Sequence, residues 1–216
     1  MRSYRDRCGV ARALDVVGER WALLVVRELV LGPKRFTDLR AGLPHLTADV
    51  LSQRLRELEA AGVVQRRRLP PPAAAHVYEL TPRGAELEPV VLALGRWGAN
   101  TPVPPTDVAM SLDSHILSLR TLFDPALAGD FEASVDLRLG DHRFRADVTA
   151  GRLAVVRGES PTPDATIVTD PATLLALIRG RRTVTAALEA GDARIEGYHA
   201  TATRFLGLFP LPEPAV

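Results

Sequence analysis

Residues Arg35–Leu69 read RFTDLRAGLPHLTADVLSQRLRELEAAGVVQRRRL, followed by PPPAAA at 70–75 and HVYELTPRG at 76–84. Phe36, Leu39 and Leu43 set a short helix with one apolar face, closed by Gly42–Pro44. Thr47 suits the cap of the next helix, because its hydroxyl accepts from the unpaired amides of a helix start. Over Ala48–Ala61, Leu51, Leu55 and Leu58 recur at i, i+4 and i+7, the spacing of one buried stripe. At about 100° per residue, Asp49, Gln53 and Arg56 project from the opposite side, with Ser52 and Glu57 flanking them. Gly62 ends that helix. Val63–Leu69 is then a strand carrying Arg66, Arg67 and Arg68, and His76–Leu80 returns antiparallel to it.

A short helix, a tight turn, an amphipathic helix and a basic hairpin follow in the order of a winged helix-turn-helix. That motif lays one helix in the DNA major groove. Glutamine can pair bidentately with adenine and arginine with guanine. Three arginines on alternating faces of a strand cannot all be buried, so Arg66 and Arg68 are expected along a phosphate backbone. The candidate DNA-binding residues are Arg35, Thr47, Asp49, Ser52, Gln53, Arg56, Arg66, Arg68 and His76. The uncharged tip at 70–75 is not expected to grip phosphate.

On the N-terminal side, Val10–Val17 reads as a short apolar helix ended by Gly18. Glu19–Leu31 reads as a second helix, too apolar all round to lie on a surface, and Gly32-Pro33 stops it. Beyond the hairpin, Thr81-Pro82 starts a helix expected to run to Gly98, with Leu87, Val90, Val91, Leu94 and Trp97 on one stripe. So small a domain leaves that stripe no core of its own. A second copy is the expected cover, with Leu14 of the first helix joining in.

Bulk properties are ordinary for a soluble globular protein. The chain has 216 residues, 46% of them hydrophobic and 25% charged. Its net charge of +1 conceals an asymmetry: residues 1–100 carry 16 basic against 11 acidic side chains, and residues 101–216 carry 11 against 15. Only the first half is expected to face a polyanion. No apolar run reaches the roughly 18 residues that span a bilayer. The charged N-terminus is not followed by a signal-peptide core, and Cys8 alone excludes an intrachain disulfide. A cytoplasmic location without membrane contact is expected.

Cys8–Ala13, LDVVGERW at 14–21, GPKRF at 32–36, LSQRLRELE at 51–59 and YELTPRG at 78–84 together resemble the HxlR family of bacterial winged-helix regulators. The resemblance covers about residues 5–98. It implies a homodimer that binds a palindromic operator on double-stranded DNA. It also implies that Cys8, at the place of a cysteine that senses oxidants in that family, could act as a redox sensor. Arg5, Arg7 and Arg12 would help to lower its pKa.

The remainder divides off at Thr101–Asp107, a Pro-rich stretch expected to be an extended linker. The expected domains are 1–100 for DNA binding and dimerisation, a linker at 101–109, and 110–216. In the last, the alternating segments at 131–139 and 143–148, joined by Gly140-Asp141, are followed by strands at Arg152–Arg157 and Ala165–Thr169. The expected fold is α+β: an antiparallel sheet with one side covered. Its cover is helices at Ala172–Arg179, Thr183–Ala190 and about Tyr198–Phe209. DATI at 164–167, DPATL at 170–174, the turn Gly191–Gly197 and Phe205-Leu206 resemble the sterol carrier protein 2-like fold over about residues 110–210. That resemblance implies a site for a small apolar ligand among Leu117, Phe123, Val135, Leu137, Phe144, Leu175, Ile178, Phe205 and Leu208.

His45, His76, His115, His142 and His199 are scattered, and none pairs with Cys8 at metal-ligand spacing. No phosphate loop or hydrolase motif is present, so neither cofactor nor metal nor catalysis is expected. Two readings remain. One is a ligand-responsive DNA-binding regulator. The other is a lipid- or small-molecule-binding protein, or an enzyme, that uses its first domain only as a dimerisation platform. The arginine strand and the outward Gln53 and Arg56 favour the first, since a platform has no use for them.

Overall fold

A computed structural model of the chain describes residues 3–71, 74–99, 101 and 110–210. Thr101 apart, the expected linker at 101–109 lies outside the described residues, as do Pro72 and Ala73 of the hairpin tip. The chain divides into two compact units, one of Met1–Leu94 with Pro104–Ser114, the other of Gly95–Val103 with His115–Val216.

The first unit runs α1 (Gly9–Val17), α2 (Ala22–Leu29), α3 (Phe36–Gly42), α4 (Ala48–Ala60), β1 (Val64–Arg68), β2 (His76–Leu80) and α5 (Pro82–Ala85), and α6 (Glu88–Gly98) begins in it. Val25, Val26, Leu29, Leu39, Leu51, Leu55 and Leu58 form its core, each no more than 2% exposed. The expected second helix starts late, because Glu19–Trp21 form a turn and Trp21 takes a left-handed φ of 79° at the cap of α2. The helix expected across 82–98 is broken between α5 and α6. Pro89 has no N–H for the carbonyl of Ala85, and its ring would clash there, so the helix restarts around it.

One buried charge organises this unit. Glu28, fully buried on α2, accepts from Arg27 Nη2 at 2.8 Å, from Ser111 Oγ at 2.7 Å and from Lys34. Lys34 also lies 2.8 Å from Asp113 Oδ2. The backbone of Lys34 exchanges two hydrogen bonds with Tyr78, at 2.9 and 2.8 Å, fastening the turn before α3 to β2. At the other end of β2, Thr81 Oγ1 accepts from Gly84 N at 3.0 Å. Gly84 presses its Cα side against the Val63 carbonyl.

The second unit carries most of α7 (Leu112–Leu122), then α8 (Pro125–Ala128), β3 (Ala133–Leu139), β4 (His142–Thr149), β5 (Arg152–Arg157), β6 (Ala165–Thr169), α9 (Pro171–Ile178), α10 (Val184–Glu189), β7 (Ala193–Gly197) and α11 (His199–Leu206). The strands lie in the order β5-β4-β3-β6-β7. The antiparallel sheet expected from the alternation is in fact mixed, because β6 runs parallel to β3 with Val135 opposite Ala165. β3, β4 and β5 form a meander through the two-residue turns Gly140-Asp141 and Ala150-Gly151. The segment after β5 then crosses to the far side of β3 instead of turning back. Alternation reports which face a strand buries, not its direction, so this crossing leaves no periodic signal.

The crossover is anchored on the polar side of the sheet. Ser160 N donates to Asp136 Oδ1 at 2.9 Å, and Glu159 accepts from Arg138 at 2.7 Å. Burial pushes the Asp136 carboxyl above its ordinary pKa, against the pull of the Ser160 amide. The stretch 191–197, expected as a turn, contains strand β7, whose flanking glycines hide a short edge strand.

A Cβ at position 84 would lie 2.0 Å from the Val63 backbone oxygen. Gly84→Ala should therefore lower the unfolding free energy of the chain by about 1–3 kcal/mol. A shift in urea midpoint at unchanged m-value would show it; an unchanged midpoint would mean that the hairpin end yields freely.

Candidate nucleic-acid interface

Helix α4 owes its orientation to three buried leucines and its start to Thr47, whose Oγ1 accepts from Val50 N at 3.4 Å. Leu51, Leu55 and Leu58 face the core, and Asp49, Gln53 and Arg56 are exposed. Ser52 is half-buried. Arg56 Nε donates to the Ser52 carbonyl at 3.3 Å, which leaves its terminal nitrogens to other partners. Gln53 Nε2 donates to Glu57 Oε1 at 3.1 Å. Ahead of α4, Arg35 is exposed and starts α3, its amide donating to Asp38 Oδ2 at 3.1 Å.

The hairpin sorts its arginines by face. Arg67 is spent: Nε and Nη2 donate to the two oxygens of Glu79, each at 2.9 Å. Arg66 and Arg68, opposite Tyr78 and His76 in register, are exposed, and His76 is exposed with them. One feature of α4 escaped the sequence reading. Arg54 points inward, 8% exposed, with Nη1 2.7 Å from Glu57 Oε2 and 3.5 Å from Glu19 Oε2. The signal available was its place beside the Leu51/Leu55/Leu58 stripe, which charge alone had argued against. Lys34, also in the basic region, is committed to Glu28 and Asp113.

Of the residues expected to dimerise, Leu87 and Val91 pack against the unit's own core. That corrects the expectation that the stripe has no core to meet, since the restart at Pro89 turns part of it inward. Leu14, Val90, Leu94 and Trp97 are exposed, at 41, 45, 47 and 78%. A groove of about 550 Å³ in the first unit is lined by Gly9, Arg12, Val16, Arg83, Glu86 and Leu87 among others.

Cys8 is exposed and caps α1. The backbone amides of Ala11 and Val10, in that order, hold its thiol below the ordinary value. The nearby arginines expected to do so are not the cause. In the second unit, Leu117, Phe123, Val135, Leu137, Phe144, Ile178, Phe205 and Leu208 are buried and Leu175 is half-buried. They belong to the packed interior, where Phe205 and Phe209 meet edge to face with centroids 5.2 Å apart. Among the described residues no group of three or more metal-binding side chains occurs, and no helix is long and apolar enough to cross a membrane.

The family described as HxlR-like helix-turn-helix matches residues 16–104, and the family described as alkyl sulfatase C-terminal matches 105–215. The HTH-type transcriptional regulator YvaP of Bacillus subtilis (strain 168) is 40% identical over 86 residues, 40% of this chain and 80% of that protein. The chain belongs to the HxlR-like helix-turn-helix family over its first half and to the alkyl sulfatase C-terminal family over its second. As an HxlR-type protein it is of the DNA-binding, transcription-regulating class, and its second half is not singled out as sterol carrier protein 2-like. The redox regulator HypR in its oxidized form is 37% identical, covering 45% of this chain and all of that one, with a TM-score of 0.41. A double mutant of the sec-alkyl sulfatase PisA1 is 17% identical, with a TM-score of 0.43 over 54% of this chain. The chain spans only 18% of that sulfatase's length.

The Arg67–Glu79 clasp gives the hairpin a pH dependence of definite sign. Hydrogen bonds from Arg67 hold the Glu79 carboxyl below its ordinary 4.5. A depressed carboxylate contributes stability that is present above its ordinary pKa and lost as pH falls through the folded value. The difference in urea midpoint between wild type and Glu79→Gln should stand at pH 7 and close as pH falls below 4.5. A difference undiminished at low pH would exclude the clasp as its source.

Proposed function

We propose that the chain is a homodimeric transcriptional regulator that binds a palindromic operator through α4 and β1. A small apolar effector in the second unit would modulate it. The observation that carries this reading is the division of labour among the arginines. Arg67 is neutralised by Glu79, whereas Arg66 and Arg68 stay exposed on a strand that packs against α4, whose outward face presents Asp49, Gln53 and Arg56. A dimerisation platform would gain nothing from unpaired cations there. Arg35, Thr47, Ser52 and His76 complete the proposed surface.

The functional domains proposed are 1–100 for DNA binding and dimerisation and 110–216 for the effector, joined by a linker at 101–109. The effector reading rests on the apolar interior between sheet and helices, in a unit taken to be sterol carrier protein 2-like. Dimerisation rests on the exposed apolar side chains Val90, Leu94 and Trp97, which share one face of α6 at i, i+4 and i+7. Leu94→Glu should leave a folded monomer by light scattering, with weakened operator binding. A dimer that persists would place the interface elsewhere.

Fluorescence anisotropy on the DNA upstream of the chain's own coding region, against a scrambled duplex and across a salt series, tests the whole. Preference by about 10³-fold or more marks a specific regulator. Arg56→Ala should cost about 1–3 kcal/mol on the preferred site. Arg66→Ala or Arg68→Ala should weaken binding to all sequences and flatten the logarithmic salt slope by about one unit. Unchanged binding by all three variants would refute the proposed surface.

A further inference from the structure

Helix α7 begins in the first unit, with residues 112–114, and continues into the second, with 115–122. Its start is tied into the charges around Glu28. Ser111 Oγ donates to Glu28 Oε1 at 2.7 Å, and Lys34 Nζ, which also donates to Glu28, lies 2.8 Å from Asp113 Oδ2. Asp113 and Ser114 are both buried. A hydroxyl has one proton, and that of Ser111 goes to the carboxylate. Its oxygen then accepts from Ser114, whose N lies 3.1 Å away and whose Oγ lies 2.8 Å away. The first turn of α7 is thus held at two points, by Glu28 and by Lys34.

With α7 in place the charges match: Arg27 and Lys34 stand against Glu28 and Asp113. Withdrawing Asp113 leaves both cations sharing Glu28, and withdrawing Ser111 removes a donor from a fully buried carboxylate. Lys34 carries the change outward. Its backbone is paired with Tyr78 of β2, and the next residue, Arg35, caps α3. At the far end of α3, Gly42 packs on the Glu28 carboxylate. Leu43 and Leu46, in the turn into α4, are buried. A shift of Lys34 or Glu28 is therefore felt at both ends of α3 and, through that packed turn, at the start of α4.

Four residues beyond Asp113, about 6 Å along the helix, Leu117 is buried in the second unit, among the residues taken to line the effector site. We propose that Ser111 and Asp113 are positioning residues for α4, and that α7 is the route by which an effector seated beside Leu117 changes operator affinity. A ligand that draws or turns α7 loosens the Ser111 and Asp113 contacts; one that fixes α7 reinforces them. The inference rests on the regulator reading, with its effector in the second unit.

Hydrogen–deuterium exchange on the full-length chain tests the coupling without DNA or effector. Ser111→Ala combined with Asp113→Asn should speed exchange of the amides at 36–60 by about fivefold or more, the lower end of ordinary allosteric coupling. Ser111→Thr, which keeps the hydroxyl, should leave them at wild-type rates. Leu119→Ala opens a cavity under α7 inside the second unit. It should speed the same amides in the wild-type background and add nothing in the doubly substituted one. If peptides of β3 and β4 show that Leu119→Ala unfolds the second unit, the milder Leu119→Val takes its place. On the preferred duplex the double variant should bind about fivefold or more weakly, with an unchanged salt slope because no phosphate contact is lost. Unchanged exchange at 36–60 in the double variant would overturn the proposal while leaving a specific regulator standing. So would a Leu119→Ala effect of equal size in both backgrounds, since it would run by another path. A wild type that prefers no duplex would overturn the regulator reading, and this proposal with it.

Discussion

A buried carboxylate governs the first unit. Glu28 sits within an apolar helix, where an uncompensated charge would be expensive, and three donors are drawn onto it: Arg27, Lys34 and Ser111. Each donor brings a piece of chain to a fixed place. Lys34 brings the turn before α3, and its backbone brings β2 through Tyr78. Gly42 packs so close to the same carboxylate that a Cβ there would lie 2.4 Å from Glu28 Oε2. The start and end of α3 are thereby set, and with them the angle at which α4 leaves the core. The outward face of α4 is a consequence of an interaction buried on α2.

The same economy recurs in the second unit, with a different chemistry. Asp136 lies on the central strand with 1% exposure, opposite Arg145 in register, and accepts a hydrogen bond from the Ser160 amide of the crossover. A backbone donor is supplied wherever the chain passes, so satisfying this carboxyl and routing the crossover are one event. Both units thus use a buried acid to place an irregular segment that no hydrophobic pattern could place.

That economy also explains what could and could not be read from the sequence. The leucine stripe of α4, the hairpin register and the two-residue turns were legible because each follows from local periodicity or from glycine at a tight bend. The family was legible from short motifs across α1 to α5. The parallel pairing of β6, the inward Arg54 and the inward turn of Leu87 and Val91 were not. Each depends on a contact between residues far apart in the chain, or on one proline restarting a helix. A charged residue beside an apolar stripe reads as surface until the acid that neutralises it, here Glu57, is seen in three dimensions. The candidate DNA-facing residues were nameable in advance, but not the tether that distinguishes Gln53 from its neighbours.

The crossover between β5 and β6 has a bearing on how the chain reaches its folded form. The Asp164 carboxylate is tied to the Ser134 amide across 30 residues of sequence. The parallel β3–β6 pair can form only once that loop has closed. In the first unit the β1–β2 hairpin closes a shorter loop and carries a smaller closure penalty. During synthesis the N-terminal half emerges first and has the faster route. Its core can be complete while the later sheet still lacks a strand, with the row of polar backbone groups on β3 open to water until β6 arrives.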